Sequence, residues 1–466
     1  MAEFQFERRL DARLILSILA TGIMTFGGIL EETAMNITFP TLMEEFSITL
    51  SYAQWITSGY LLALIVMMPT SAFLKKKIKM KTLFMITCAA FLAGTVLCFA
   101  APAFIWIIIG RAIQGAAAGV AVPLMFNIVL EQTPLEHIGF IVGFATMTNA
   151  MAPACGPVYG GIVLQLSNWR MIFGCLIPVM GLALILGAFS IRQSSVLEKE
   201  AVFDNTGFLF YAITLSCLVF GLNLPNVFGW GSPVVICLLI GVAAFLILFL
   251  RREKHVALPL INLKIFRYRN FSLGVAAIYC CCTICPTLSF ILPNVLQLSR
   301  GLNALNAAMV LFFGCITGAL VTVWAGHMYD KKGPAFCLTL GGICAIAGVV
   351  LIRFSLASWP SAVISAMFVI YMVGQGCCVS NNMTYGLQSL PPELGPDGNA
   401  TMNLTQNLSG TIGIVITSGI ISSAQIHAAD IGEGTLTGAK TALLLLIGVA
   451  VLVNVFEFLV LHPKKK

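Results

Sequence analysis

Charge is what this sequence has least of. Only 10% of its 466 residues are Asp, Glu, Lys or Arg, 59% are hydrophobic, and the mean hydropathy is +0.95. That balance excludes a water-soluble globule, whose surface needs far more polar side chains than this. Histidine is also sparse: His137, His255, His327, His427 and His462 are scattered through loops and ends, so no His, Asp or Ser constellation for an enzyme gathers in sequence. A phosphate-cradling nucleotide loop is missing too, which argues against a primary pump. Cysteine is not scarce, but nearly all fifteen lie inside apolar runs, where the thiol behaves as a small hydrophobe. Cys280, Cys281 and Cys282 with Cys285 contain a C-x-x-C without His or a charged neighbour, so packing is the reading and no metal is assigned.

What the chain has instead is long apolar runs. A spanning helix needs about 20 predominantly apolar residues, and fourteen such runs lie near 14–38, 52–74, 82–101, 103–130, 138–164, 170–191, 206–225, 231–250, 271–297, 304–328, 335–353, 359–388, 402–424 and 439–461. The expected fold is therefore an all-α integral membrane protein with 14 transmembrane helices. The first run is too long for a cleavable signal and is expected to stay as an anchor. Basic residues are retained on the cytoplasmic side, and with both termini inside, 21 of the 26 Lys and Arg fall in cytoplasmic segments or the cytoplasmic ends. The formal +7 is thus an orientation signal, and nucleic acid is not needed to explain it.

Against this background two helical stretches carry charge. Leu30-Glu31-Glu32-Thr33 sits near the outer end of the first run, and Glu31, eight residues before Phe39, lies roughly 12 Å below the surface. A charge at the middle of a bilayer costs at least ~2.5–3.5 kcal/mol and marks a functional site by default. Glu31 and Glu32 are about 100° apart on a helix, so only one faces the interior fully. In the fourth run Arg111 lies eight residues from Ala103, at the same depth, and is the expected partner. Pairing with a guanidinium favours an ionised carboxylate and desolvation favours the protonated acid; that competition is what a proton-coupled switch uses.

The fifth run carries Asn149-Ala150-Met151-Ala152-Pro153-Ala154-Cys155-Gly156-Pro157-Val158-Tyr159-Gly160-Gly161. Its prolines break the hydrogen-bond ladder where small residues permit bending and close packing. Here the chain resembles the major facilitator superfamily, in particular the drug:proton antiporter family with fourteen spanning helices. Leu30-Glu31…Thr33…Asn36…Pro40 is similar to that family's first-helix pattern. Arg111…Gln114-Gly115 resembles its proton-coupling motif, and Gly156-Pro157…Gly160-Gly161 its exporter motif. Gly326…Met328-Tyr329-Asp330-Lys331-Lys332-Gly333 resembles the cytoplasmic loop motif in its second-half copy, and Pro259-Leu260…Asn270-Phe271 the central loop. The first-half loop departs from the pattern: Ala72 and Lys76 stand where the family has glycine and aspartate, with Lys79 at the following glycine, so the charge is reversed.

The resemblance implies two six-helix halves plus an inserted helix pair. A cytoplasmic segment, 1–13, precedes an N-terminal half, 14–191. A linker with two inserted helices, 192–250, and a basic cytoplasmic loop, 251–270, lead to a C-terminal half, 271–461, and a basic tail, 462–466. Aligning Gln375-Gly376 on Gln114-Gly115 places Met372 opposite Arg111, so the second half lacks that charge. Proton coupling is accordingly expected of Glu31, Glu32 and Arg111, and conformational switching of Gly156, Pro157, Gly160, Gly161, Gly326, Asp330 and Gly333. Asn36, Trp55, Tyr60, Gln114, Asn149, Asn294, Asn382, Asn403 and Gln406 are candidates to contact substrate. Glu457, five residues from the inner end of the last run, is expected to reach the interface.

The function expected is a multi-pass plasma-membrane transporter, monomeric and without a cofactor, that uses the proton gradient to export amphipathic or lipophilic compounds. A carboxylate in an apolar, aromatic-lined cavity favours cations. A proton-coupled uptake carrier, or an exporter of a specific metabolite or lipid, is the alternative.

Overall fold

In hydrocarbon every backbone N–H and C=O must be satisfied within the protein, and a helix does this within one segment. The computed structural model describes residues 11–134, 138–193, 197, 203–225, 229, 231–256, 259–391 and 394–461, and the elements found among them are helical. In the first part of the chain these are α1 (Ala12–Met35), α2 (Phe39–Phe46), α3 (Leu50–Ala53), α4 (Trp55–Met67), α5 (Thr70–Lys77), α6 (Met80–Phe99), α7 (Phe104–Gln132), α8 (Ile138–Leu166), α9 (Arg170–Gly174) and α10 (Leu176–Ser190). Then come α11 (Asn205–Asn223), α12 (Pro233–Glu253), a 3₁₀ turn at Leu263–Arg267, α13 (Arg269–Leu298), α14 (Ala304–Lys332), α15 (Pro334–Ser355), α16 (Ser361–Gln388), α17 (Gly395–His427) and α18 (Ile431–Leu461).

Thirteen spans among the described residues are long and apolar enough to cross a membrane. The 29-residue α8 occupies the place of the remaining expected run. The second expected run, 52–74, is divided into α3, α4 and α5, with the break between α4 and α5 at Pro69, which has no N–H to give. The last two helices begin earlier than the apolar runs do. In α17 a proline occupies the first turn and Asp397 complements the helix dipole there. In α18 the small residues Gly434 and Gly438 bring the helix against Gln425 and Ile421 of α17, so tight packing extends the helix beyond its apolar stretch.

The chain forms two compact units, residues 1–35 with 55–206, and residues 36–54 with 207–466. Each follows the same packing plan. In the first, α4 and α6 pack on α7, α1 packs on α7, α8 and α10, and α6 packs on α10. In the second, α14 and α15 pack on α16, α13 packs on α16, α17 and α18, and α15 packs on α18. Helix by helix, α13 stands for α1, α16 for α7 and α18 for α10: an internal repeat of six helices, as transporter halves commonly are. The second unit also holds α11 and α12, whose rings pair as Phe210 with Phe245 and Tyr211 with Phe249.

The connection after α12 folds back onto the second unit. Ile265 is fully buried in a cluster with Phe271, Ile278 and Met402. The backbone N–H of Ile261 donates to Glu253 Oε2, 3.1 Å, and Asn262 Nδ2 donates to Asp397 Oδ2, 2.7 Å. At the other unit's basic end, Arg192 Nη2 donates to Asp11 Oδ2 at 2.5 Å, Gln132 Nε2 to the Arg192 carbonyl at 3.1 Å, and the Met80 N–H to Gln193 Oε1 at 2.8 Å. These bonds tie the ends of α1, α6, α7 and α10.

Candidate functional site

The first unit closes around a charge pair. Glu31, one turn before the end of α1, and Arg111, two turns into α7, are both fully buried, and Arg111 Nη1 donates to Glu31 Oε1 at 3.2 Å. The same nitrogen reaches Gln114 Oε1 at 3.0 Å, one turn further along α7, and Gln114 Nε2 donates to Thr95 Oγ1 of α6 at 2.8 Å. Arg111 Nε donates to the Ile56 carbonyl of α4, 3.1 Å, and the guanidinium lies 4.2 Å from the Tyr60 ring centroid. Four helices thus contribute to holding one cation.

The network is incompletely satisfied. Glu31 Oε2, Arg111 Nη2 and the Tyr60 hydroxyl are buried with no hydrogen-bond partner among the described residues. Desolvating two charges costs several kcal/mol each, repaid only by good geometry and additional hydrogen bonds. A pair held by one 3.2 Å contact, with spare donor and acceptor capacity on both partners, can exchange partners at lower cost than a fully bonded one. Chemically it can take up a proton at Glu31 while Arg111 keeps Gln114, the Ile56 carbonyl and the Tyr60 ring.

Small residues set the approach of the helices that carry these groups. A Cβ at Gly115 would collide with the Tyr60 carbonyl, so only glycine lets α7 lie this close to α4. On α8, a Cβ at Gly156 would come within 2.7 Å of the Leu30 carbonyl and one at Gly160 within 2.7 Å of the Ala34 carbonyl. The two glycines therefore seat α1 immediately on either side of Glu31. Gly156, Pro157, Gly160 and Gly161 are all buried.

Of the two carboxylates, Glu31 is the one enclosed and paired, and Glu32 is half-buried. Tyr60 and Gln114 join the pair directly, whereas Trp55 is half-buried at the start of α4 and Asn36 is buried in the other unit. Asn149 lies on α8 and Asp330 on α14, with their side chains outside the described residues; Gly326 and Gly333 flank Asp330, and Gly333 takes φ +76° as it ends α14. In the second unit Asn294 is buried and donates to the Phe290 carbonyl at 2.6 Å, Asn403 bonds Asn399 on its own helix, and Gln406 reaches the Met383 sulfur at 3.8 Å. These do not gather at one point. Thr95 and the Ile56 carbonyl were not foreseen, since nothing in their local sequence distinguishes them from ordinary packing.

One expectation changes on the structure. Glu457 does not reach an interface: it is 3% exposed, and Asn382 Nδ2 donates to its Oε1 at 2.8 Å. Asn382 on α16 covers it from the side, which a count of residues from the helix end does not reveal. In the first-half loop, beside the charge-reversed Lys76, Lys75 of α5 pairs with Glu131 of α7.

A model of the Major Facilitator Superfamily matches residues 21–414. The lincomycin resistance protein LmrB of Bacillus subtilis (strain 168) is 33% identical over 417 residues, covering 88% of this chain and 86% of that protein. LmrB of Listeria monocytogenes is 30% identical over 421 residues, covering 90% and 88%. Among solved structures, a bacterial homolog of the human lysosomal transporter Spinster, inward-facing and unoccupied, superposes with a TM-score of 0.70 at 14% identity over 97% of this chain and 98% of that one. That last likeness shows the fold.

Proposed function

The chain belongs to the Major Facilitator Superfamily, a transporter rather than an enzyme, and we propose that it exports amphipathic drug-like compounds in exchange for protons. The observation that carries this reading is the buried Glu31–Arg111 pair stacked on Tyr60. An exporter driven by protons needs a group that changes charge inside the membrane, and an intramembrane carboxylate whose partner can be held elsewhere is such a group. In the proton-loaded state Glu31 is neutral and Arg111 rests on Gln114 Oε1, the Ile56 carbonyl and Tyr60. In the proton-free state Glu31 re-forms its bond to Arg111. Because Gly156 and Gly160 of α8 seat α1 on both sides of Glu31, the change in the pair is delivered to the α1–α8 contact, where Pro153 and Pro157 already interrupt the ladder.

Export, rather than uptake, is supported by the relatives, two of which are named for lincomycin resistance. We assign the preference for cations to the carboxylate itself.

The test is transport of a fluorescent lipophilic cation in proteoliposomes under an imposed pH gradient. The parent chain should drive it, and Glu31→Gln should lose the drive while still exchanging substrate across the membrane. Gradient-driven transport in Glu31→Gln at the parent rate would overturn coupling at this site. Movement of substrate in the same direction as protons would favour an uptake carrier.

A further inference from the structure

The second unit contains a buried constellation that the transport reading does not use. Cys281 of α13, Cys378 of α16 and Glu457 of α18 bring two sulfurs and a carboxylate oxygen within 4.8 Å of one another, and all three are buried. Asn382, one turn along α16 from Cys378 and 1% exposed, completes the group: its Nδ2 donates to Glu457 Oε1 at 2.8 Å and to the Cys378 carbonyl at 3.0 Å. Two acceptor atoms are left over. Glu457 Oε2 and Asn382 Oδ1 are buried with no hydrogen-bond partner among the described residues. An unpartnered buried carboxylate oxygen costs more than an ordinary orphaned polar atom, and a cation would satisfy both at once.

We propose that Cys281, Cys378 and Glu457 form a binding site for a thiophilic divalent cation of the zinc type, with Asn382 Oδ1 in reach of the fourth position. The donor set selects the class. Two sulfurs with a carboxylate oxygen suit a borderline-soft ion that accepts tetrahedral geometry. Two thiolates and a carboxylate carry −3, so a divalent ion leaves −1 and a monovalent one −2, which is costlier in a dry interior. With Zn–S near 2.3 Å, two thiolates on one zinc stand about 3.7 Å apart, so the present spacing needs only a small closing movement. Binding displaces one proton from each thiol, and one from Glu457 when it is protonated, to the solvent. The Asn382 N–H bond to Glu457 orients the carboxylate as outer-shell partners do.

Polar contacts lie near the site at the C-terminal end of α18. Asn270 Nδ2 donates to the Tyr385 hydroxyl at 3.4 Å, and that hydroxyl reaches the Val460 carbonyl at 3.5 Å, one turn from Glu457. The three proposed ligands sit on α13, α16 and α18, so an ion there would fasten three helices of one unit.

The experiment is titration of the full chain in detergent with Co²⁺, followed by thiolate-to-metal absorption, and with Zn²⁺, followed by metal content and proton release. One equivalent should bind with thiolate absorption and a rise in Tm, since a ligand of the native state stabilises it. Cys281→Ser and Cys378→Ser should lose the absorption, and Glu457→Gln should weaken binding at least tenfold. Cys280→Ser, whose sulfur is outside the triad, should bind as the parent does. If a cysteine variant fails to fold, Glu457→Gln decides. No stoichiometric binding by the parent, or unchanged affinity in Glu457→Gln, overturns the site. Neither result bears on the Glu31 reading.

Discussion

Where the repeat matches Arg111 with Met372, the first unit buries Arg111 against Glu31, and the second buries Met372, whose sulfur lies 3.9 Å from that of half-buried Cys285 on α13. The neighbouring glutamines differ in the same sense: Gln114 accepts from Arg111, and Gln375 accepts from the Tyr371 hydroxyl at 2.9 Å. The glycines that follow do the same work in both, Gly115 against the Tyr60 carbonyl and Gly376 against the Gly318 carbonyl. Since the second unit builds the same six-helix packing without the charges, the packing does not require them. The first unit retains a costly pair that folding can do without, and this difference is the strongest reason to assign the pair to function.

Removing one side of the pair should have the largest effect. Arg111→Ala leaves Glu31 buried without a cation and Gln114 without its donor, and should cost about 3–5 kcal/mol of stability as well as the pH-driven flux. Thermal unfolding in detergent, beside transport, checks both. Copying the second unit into the first sharpens the comparison: the double change Glu31→Cys with Arg111→Met should be neutral or stabilising by up to about 4 kcal/mol, yet transport without coupling. A double variant as unstable as Arg111→Ala would mean that the first unit needs its charges to pack.

Gly115→Ala should cost about 1–3 kcal/mol by overpacking against α4, and it should also slow coupled transport because it displaces Tyr60 from Arg111. Gly376→Ala should cost about the same and leave the pH dependence of transport intact, which unfolding and a pH–rate profile together would show. The smallest effect belongs to the basic end of the first unit. There the Leu14 N–H and Arg192 hold the Asp11 carboxyl below its ordinary value, so its contribution is present at neutral pH and fades as pH falls through that lowered value. The pair is about one-third exposed, and Asp11→Asn should cost at most about 1 kcal/mol, with the loss vanishing in acid.

Most of this architecture is legible in the sequence because the bilayer imposes it. Apolar runs of spanning length locate the helices to within a few residues at most ends, failing mainly where first-turn chemistry extends α17 and packing extends α18 beyond the apolar stretch. Equal depth on antiparallel helices was enough to match Arg111 with the carboxylates of α1. Which of Glu31 and Glu32 bonds Arg111 is not legible in the sequence, because neighbouring residues differ only by helix rotation. Glu457 is a related case: its distance from the helix end points to the interface, whereas Asn382, 75 positions earlier, covers it. The thiols beside it were read within Cys280 to Cys285 alone, where no partner exists; Cys378 joins them only through the α13–α16 packing.

The most direct measurement is proton release on substrate binding, with the purified chain in weakly buffered detergent solution and a pH indicator. If Glu31 is the group that exchanges a proton for substrate, adding a lipophilic cation should release a proton from the parent chain. Glu31→Gln should bind the same compound without releasing one. Equal release from Glu31→Gln and the parent would contradict the assignment and move the coupled proton to another residue.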